Sequence, residues 1–287
     1  MQKRTRQAAF SLIELIVVIL LLGVLAGGAG LLITTPINAY TDQLRRQQLV
    51  DQAEMAVRQV ARDVRRALPN SIRISTVGAG WALEMVNSID GARYRDEFGG
   101  GFSADTDILD FSAPDTEFNF LGQLNIAAPT VLAAGQRLVI YNTAPANFYS
   151  DAVNNFNPGI VTPSGATLTL TANGAEHHIT MVPAFQFSQQ SPGQRAYIVD
   201  GPVSYICNPA SRSMTRYSNY AYQIAQPTSA PAGAASGPVV TQVAACSITY
   251  QAGTAQRGGM VTIEITLDDA SGESISLLHQ VHVDNVP

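Results

Sequence analysis

The chain has 287 residues, 46% of them hydrophobic and 14% charged, with a formal charge of −5. The acid excess excludes the wide basic field that a nucleic-acid-binding surface requires. No G-x-S-x-G, P-loop or dinucleotide-binding glycine pattern occurs, so the common nucleophile and phosphate chemistries lack their signatures.

The opening residues MQKRTRQAA carry Lys3, Arg4 and Arg6 and no acid. From Phe10 to Ile33 the sole ionisable side chain is Glu14, in a run of about 24 residues that is long enough to cross a bilayer as a helix. The basic flank is expected to stay cytoplasmic, with the bulk of the chain on the far side. Three readings compete for this run. They are a cleaved signal peptide, a plain signal anchor, and a signal cut before the apolar run so that the run is retained. Only the third accounts for Glu14, because an ionisable group inside a span is costly and marks function.

The leader followed by AFSLIEL resembles the N-terminus of type IV prepilins and type II secretion pseudopilins. The resemblance implies cleavage between Ala9 and Phe10 by a prepilin peptidase and methylation of the new Phe10 amine. Ala9 stands where the family usually has Gly, and Ser11 is a familiar alternative to Thr. Glu14 then falls at the fifth mature position, where the family's carboxylate pairs with the N-terminal amine of an adjacent subunit. That pairing supplies the opposite charge that a carboxylate in hydrocarbon needs. Removing the leader's Lys3, Arg4 and Arg6 takes the charge from −5 to −8.

Beyond the span, Pro36 predicts a kink or break. A helical pattern resumes towards Leu68, with Val50, Ala53, Val57, Val60, Val64 and Leu68 forming one apolar stripe. Arg58, Arg62, Arg65 and Arg66 fall on the other face, and Glu54 supports Arg58. The arginine row is read as a solvated or subunit-facing surface rather than a DNA contact. Pro69 ends the pattern. Unbroken, residues 10–68 would make a helix of about 90 Å at 1.5 Å per residue, resembling the long pilin helix.

From about residue 70 short β-rich runs take over, among them SIRISTV, WALEMV, DILDFS, QRLVIYN, ATLTLTA, HHITMV, RAYIVDG, VSYICN and CSITY. The clearest pair is MVTIEITL and ESISLLHQVHV, joined by DDASG, with Val261, Ile263, Ile265 and Leu267 on one face of the first arm. Residues 226–238 read as a low-complexity loop, and the glycines at 99–101 as a flexible turn. The predicted class is α+β, a long N-terminal helix packed on an antiparallel β-sheet domain. The expected divisions are a leader over 1–9, a helix over 10–68 with its membrane part at about 10–33, and a periplasmic β-rich domain over 69–287.

Cys207 and Cys246 are an even pair on the exported side, which predicts a disulfide. Two buried thiols are the alternative. The runs RAYIVDGPVSYICNPASRSMTRYSNY, ACSITY and GESISLLHQVHVDNVP resemble the O-type minor pilin-like proteins of the mannose-sensitive haemagglutinin (MSHA) pilus system. Residues 85–165 resemble nothing nameable.

Other candidate sites are weak. His279 and His282 are three apart on a strand and face opposite sides, and His279 joins the apolar row as a core histidine. His177 and His178 also diverge, and zinc would need more converging ligands. Asp105, Asp107 and Asp110 offer oxygen ligands without the rest of an EF-hand, and Asp268 and Asp269 sit in a hairpin turn. No cofactor is expected, with calcium the one ion left open.

The resemblances imply a minor pilin of an MSHA-type pilus that acts by assembly rather than by catalysis. The alternative is a type II secretion pseudopilin, J-like and at the tip, with a membrane-tethered periplasmic hydrolase more distant. Implied partners are the major and other minor pilins, the prepilin peptidase, the inner-membrane assembly platform and membrane lipid, and no nucleic acid.

Overall fold

A computed structural model describes residues 11–97, 107–253 and 258–283. The processing positions Ala9 and Phe10, the glycines at 99–101 and Asp105 lie outside them. The chain divides into two compact units, Met1–Leu49 and Val50–Pro287.

One helix, α1, runs from Leu12 to Arg65. Pro36 lies inside it, so the expected break does not occur. A proline removes one rung of the hydrogen-bond ladder, and long helical arms on both sides hold that gap. In the second unit Ala53, Val57, Val60 and Val64 are buried as the stripe predicts, together with Ala56 and Ala61, whereas Val50 is exposed. The four arginines of the row are exposed, and Arg58 pairs with Glu54.

The helix stops at Arg65, short of the Leu68 expected from the pattern. Its last turn tightens through bonds from Arg66 N to Asp63 O and Ala67 N to Val64 O. The chain then runs beside strand β2 (Gly80–Tyr94), with Leu68 N bonded to Val86 O and Ser88 N to Arg66 O. Leu68 is buried, so the apolar pattern outlasts the helix because its last member packs from a loop.

β2 is the spine of a ten-stranded sheet. It pairs antiparallel with β1 (Arg73–Val77), with the tip of β3 (Asp115–Leu121) and, over most of its length, with β8 (Arg195–Asn208). The runs RAYIVDG and VSYICN are thus one strand, and Gly201 takes φ 144° between them, a backbone only glycine adopts freely. β3 leads to β7 (Glu176–Phe185), β6 (Thr167–Asn173) and the two-residue β4 (Thr130–Val131). β5 (Arg137–Ile140) pairs with the first half of β8, while β9 (Ser213–Ser218) and β10 (Ala235–Thr241) continue from its second half.

Three expectations change here. DILDFS is not a strand, because Asp110 is spent on a turn, accepting from Ser112 N and Oγ at 2.7 Å each. The strand follows it as β3. Residues 235–238, expected in a loop, belong to β10. Finally, a helix, α2 (Pro145–Asn154), starts with Pro in its first turn and ends at Asn155, whose φ is 53°.

Two apolar clusters stand out among the described residues of this unit. One gathers Tyr94, Phe118, Phe120, Leu138, Ile179 and Phe185 with their neighbours, and the other sets Phe148, Tyr149 and Ala152 of α2 on Val86, Val139 and Val199.

The last three strands, β11 (Val243–Gln251), β12 (Gly259–Asp268) and β13 (Ser274–Val283), form a separate antiparallel sheet. Val261, Ile263, Ile265 and Leu267 are buried as the alternation predicts. His279 shares their face but is only half-buried, since β13 is an edge strand and, among the described residues, nothing pairs beyond it. The architecture is α+β, an apolar N-terminal helix followed by a large antiparallel β domain.

Candidate functional site

Ser11 caps α1. Its Oγ accepts from Glu14 N at 3.3 Å, and its carbonyl accepts from Glu14 N at 3.1 Å and Leu15 N at 3.2 Å. Ser-x-x-Glu is the capping-box spacing, a signal present in the sequence itself. Glu14 therefore has a local role: a carboxylate in the first helical turn is favoured by the exposed N–H groups there. Among the described residues no cation pairs with it.

The segment Leu12–Ala29 is long and apolar enough to cross a membrane, and none of it is buried among the described residues. Leu12, Ile13, Ile19, Leu20, Val24 and Leu25 are all well exposed. A continuous apolar surface of this kind needs lipid or other helices to cover it.

Cys207 of β8 and Cys246 of β11 are bonded, with their Cα atoms 6.7 Å apart. The bridge ties the large sheet to the C-terminal one and closes a separation of 39 residues.

Sequence reasoning missed the polar anchors of the domain. Asp63 of α1 accepts from the Tyr205 hydroxyl at 2.6 Å and from Arg216 Nε at 2.7 Å, which joins the helix to β8 and β9. Burial lowers the Arg216 pKa, but the bond and charge of Asp63 outweigh it and hold the group above its ordinary value. Glu84, fully buried on β2, meets Arg73 Nε at 2.5 Å and accepts from the Tyr220 hydroxyl at 2.9 Å. Burial raises the Glu84 carboxyl above the usual range against the pull of Arg73. Arg73 also donates to the carbonyls of Gln223 and Ile224, so residues 220–226 are strapped over β1 and β2. A charge within an apolar run, as in WALEMV, is the only signal that could have exposed such an anchor.

His177, His178 and several of the acids hold structural hydrogen bonds. His177 Nδ1 accepts from Leu124 N at 3.2 Å, while His178 points the other way, with Nδ1 2.7 Å from Asn119 Oδ1 and Nε2 3.3 Å from Glu117. Asn119 also donates to Glu176, which pairs with Arg95 in the interior. Asp107 has its carboxyl raised by burial, with Glu117 and Asp115 adding to it, whereas its neighbour Asp110 is lowered by its bonds from Ser112. Asp269 Oδ1 accepts from Ser271 N, Ser271 Oγ and Glu273 N, closing the β12–β13 turn. Among the described residues no three such groups converge as a metal site.

Compared with known families, residues 4–30 match the prokaryotic N-terminal methylation motif, a type IV prepilin-like signature. Searches of curated proteins and of solved structures returned no match. The motif and the exposed apolar helix together point to a single-pass membrane anchor and a structural rather than catalytic role.

Proposed function

We propose that the chain is a minor pilin of an MSHA-type type IV pilus. It is inserted once in the inner membrane, N-terminus cytoplasmic and β domain periplasmic. The prepilin peptidase cuts between Ala9 and Phe10 and methylates Phe10. The observation that carries this reading is a methylation motif over residues 4–30 set on an apolar helix, Leu12–Ala29, that no described residue buries. An apolar surface of that length is stable in lipid and, on assembly, among the helices of other pilins. Glu14 then meets a neighbouring N-terminal amine, which compensates its charge and sets axial register. The C-terminal resemblance to O-type components supports the MSHA assignment. Neither calcium nor another cofactor has a part in this function, and no step of it is chemical beyond the processing of the chain by the peptidase.

The same motif serves type II secretion pseudopilins, so the test must separate the two systems. In a deletion strain, counts of surface pili and of secreted enzymes are compared before and after complementation. Loss of pili with secretion intact is expected. Normal pili with secretion lost would transfer the protein to the secretion system.

A further inference from the structure

β13 pairs with β12 over ten residues without a register shift, from Ser274 opposite Asp268 to Val283 opposite Gly259. Its other edge carries the remaining backbone N–H and C=O groups of the strand. Among the described residues none of these has a hydrogen-bond partner. An unpaired edge is a template for another strand, and proteins blunt such edges with charge, proline, bulges or brevity. Among the described residues the other end strands show those devices, β11, the opposite edge of the same sheet, through a register shift between Val243 and Ala245. β10 contains Pro238 with a register shift beside it, β4 has two residues, and β1 is fastened by Gln226, whose Nε2 donates to Arg73 O. β13 reads SISLLHQVHV and has no proline, glycine, acid, lysine or arginine.

The side-chain pattern says what fits there. On the inner face Ile275 and Val281 are buried, while Leu277 and His279 are only half-buried. On the outer face Ser276 and Gln280 are exposed, and Leu278 is the exception, an apolar side chain 58% exposed. Reflected about Leu278, the strand sets Ile275 opposite Val281, Ser276 opposite Gln280 and Leu277 opposite His279. Leu278 then faces itself. Antiparallel pairing across a two-fold axis makes this reflection, because each residue i meets j while j meets i. A rotation normal to the sheet also keeps inner face beside inner face.

We propose that β13 is a homotypic docking edge: two copies of this chain join their β13 strands antiparallel, in a register centred on Leu278. The pairing satisfies the open backbone groups, covers Leu277 and His279, and buries Leu278 against its counterpart. Residues directly opposite have Cβ atoms about 4.5–5.5 Å apart, close enough for engineered cysteines to join.

The test uses full-length protein in detergent, with Leu278→Cys, Ser276→Cys and Gln280→Cys made singly. After mild oxidation, non-reducing gels and peptide mass mapping read the products, with the Cys207–Cys246 peptide as the check on folding. Leu278→Cys should shift to a dimer linked 278 to 278. Ser276→Cys and Gln280→Cys should stay monomeric alone and link to each other when mixed. In the unmodified background, Leu278→Lys should remove concentration-dependent dimer in sedimentation. A Leu278→Cys protein that stays monomeric overturns the proposal, including the case in which the edge serves a different protein. Self-linking of Ser276→Cys as readily as Leu278→Cys overturns it too, since apolar helices could bring chains together without this register.

Discussion

Asp63 of α1 accepts a hydrogen bond from the hydroxyl of Tyr205 on β8 at 2.6 Å, and this bond crosses from the helix to the spine of the large sheet. The same carboxylate oxygen takes Arg216 Nε at 2.7 Å. Replacing Asp63 with Ala leaves Arg216 and the tyrosine hydroxyl without their acceptor in a largely buried place. Hydrogen bonds to charged groups contribute about 1.5–3 kcal/mol, so Asp63→Ala should destabilise the domain by roughly that much. Tyr205→Phe removes one neutral donor and should cost about 1 kcal/mol. Urea unfolding of the two variants measures both, and equal losses would show that the ion pair adds nothing.

The Cys207–Cys246 bridge closes a separation of 39 residues. Loop entropy assigns it roughly 4 kcal/mol of stabilisation. Reduction, or the double change Cys207→Ser and Cys246→Ser, should lower the thermal midpoint while leaving the far-ultraviolet spectrum at room temperature unchanged. A midpoint that does not move on reduction would mean that the unfolded chain is already constrained there.

Glu84 gives a pH dependence of defined sign. Burial raises its folded-state pKa above the ordinary value of 4.5, against the bond and charge of Arg73. The folded state therefore binds the proton more tightly than the unfolded chain. The contribution of Glu84 is fully present below 4.5 and is lost as pH rises through the folded-state pKa. Glu84→Gln should flatten that fall in stability with rising pH, measured as urea midpoints over a pH series. An unchanged slope in Glu84→Gln would rule Glu84 out as its source.

What the sequence revealed and what it concealed divide along physical lines. The β12 alternation of Val261, Ile263, Ile265 and Leu267 was legible because one face is buried and the period is two. The helical stripe was legible through Val57, Val60 and Val64 for the same kind of reason. DILDFS misled because Asp110 prefers the turn it makes with Ser112 to a place in a ladder. α2 was hidden in PANFYSDAVN, where one turn's worth of buried Phe148, Tyr149 and Ala152 is too short to show a period. Asp63, Glu84 and their partners are more than a hundred residues apart in several cases, so only the folded chain brings them together. At the N-terminus Glu14 was legible as an anomaly, yet its capping by Ser11 needed only their spacing of three residues.

Processing is checked by mass spectrometry of protein extracted from membranes. The expected N-terminal peptide begins at Phe10 and carries one methyl group on its amine. The motif over residues 4–30 motivates this, with Ala9 as the small residue before the cut. A mature terminus near residue 30 would instead establish an ordinary signal peptide, and the pilin reading would fall with it.

Glu14 stands at the helix start, and one substitution can separate that place from the pairing proposed for it in a filament. In the helix, Ser11 Oγ accepts from the backbone N–H of residue 14, and that bond survives any side chain there. Glu14→Ala therefore keeps the cap and loses only the favourable carboxylate at the helix start, about 0.3–1 kcal/mol. The β domain, which begins far along the chain, keeps its core contacts untouched. In a filament the loss is of another size. A neighbouring N-terminal amine set in hydrocarbon would lose its counter-charge, and breaking such a pair typically costs about 3–5 kcal/mol. The variant should be inserted, cleaved and stable in the membrane, yet depleted from sheared pili or unable to support their formation. Ser11→Ala serves as the converse control, weakening the helix start by about 1 kcal/mol while leaving the carboxylate in place, and it should assemble. Normal pilus number and normal incorporation of Glu14→Ala in a deletion strain would overturn the pairing role. The carboxylate would then be kept for its helix start alone, or the subunit would sit at an end of the filament where no second amine reaches it.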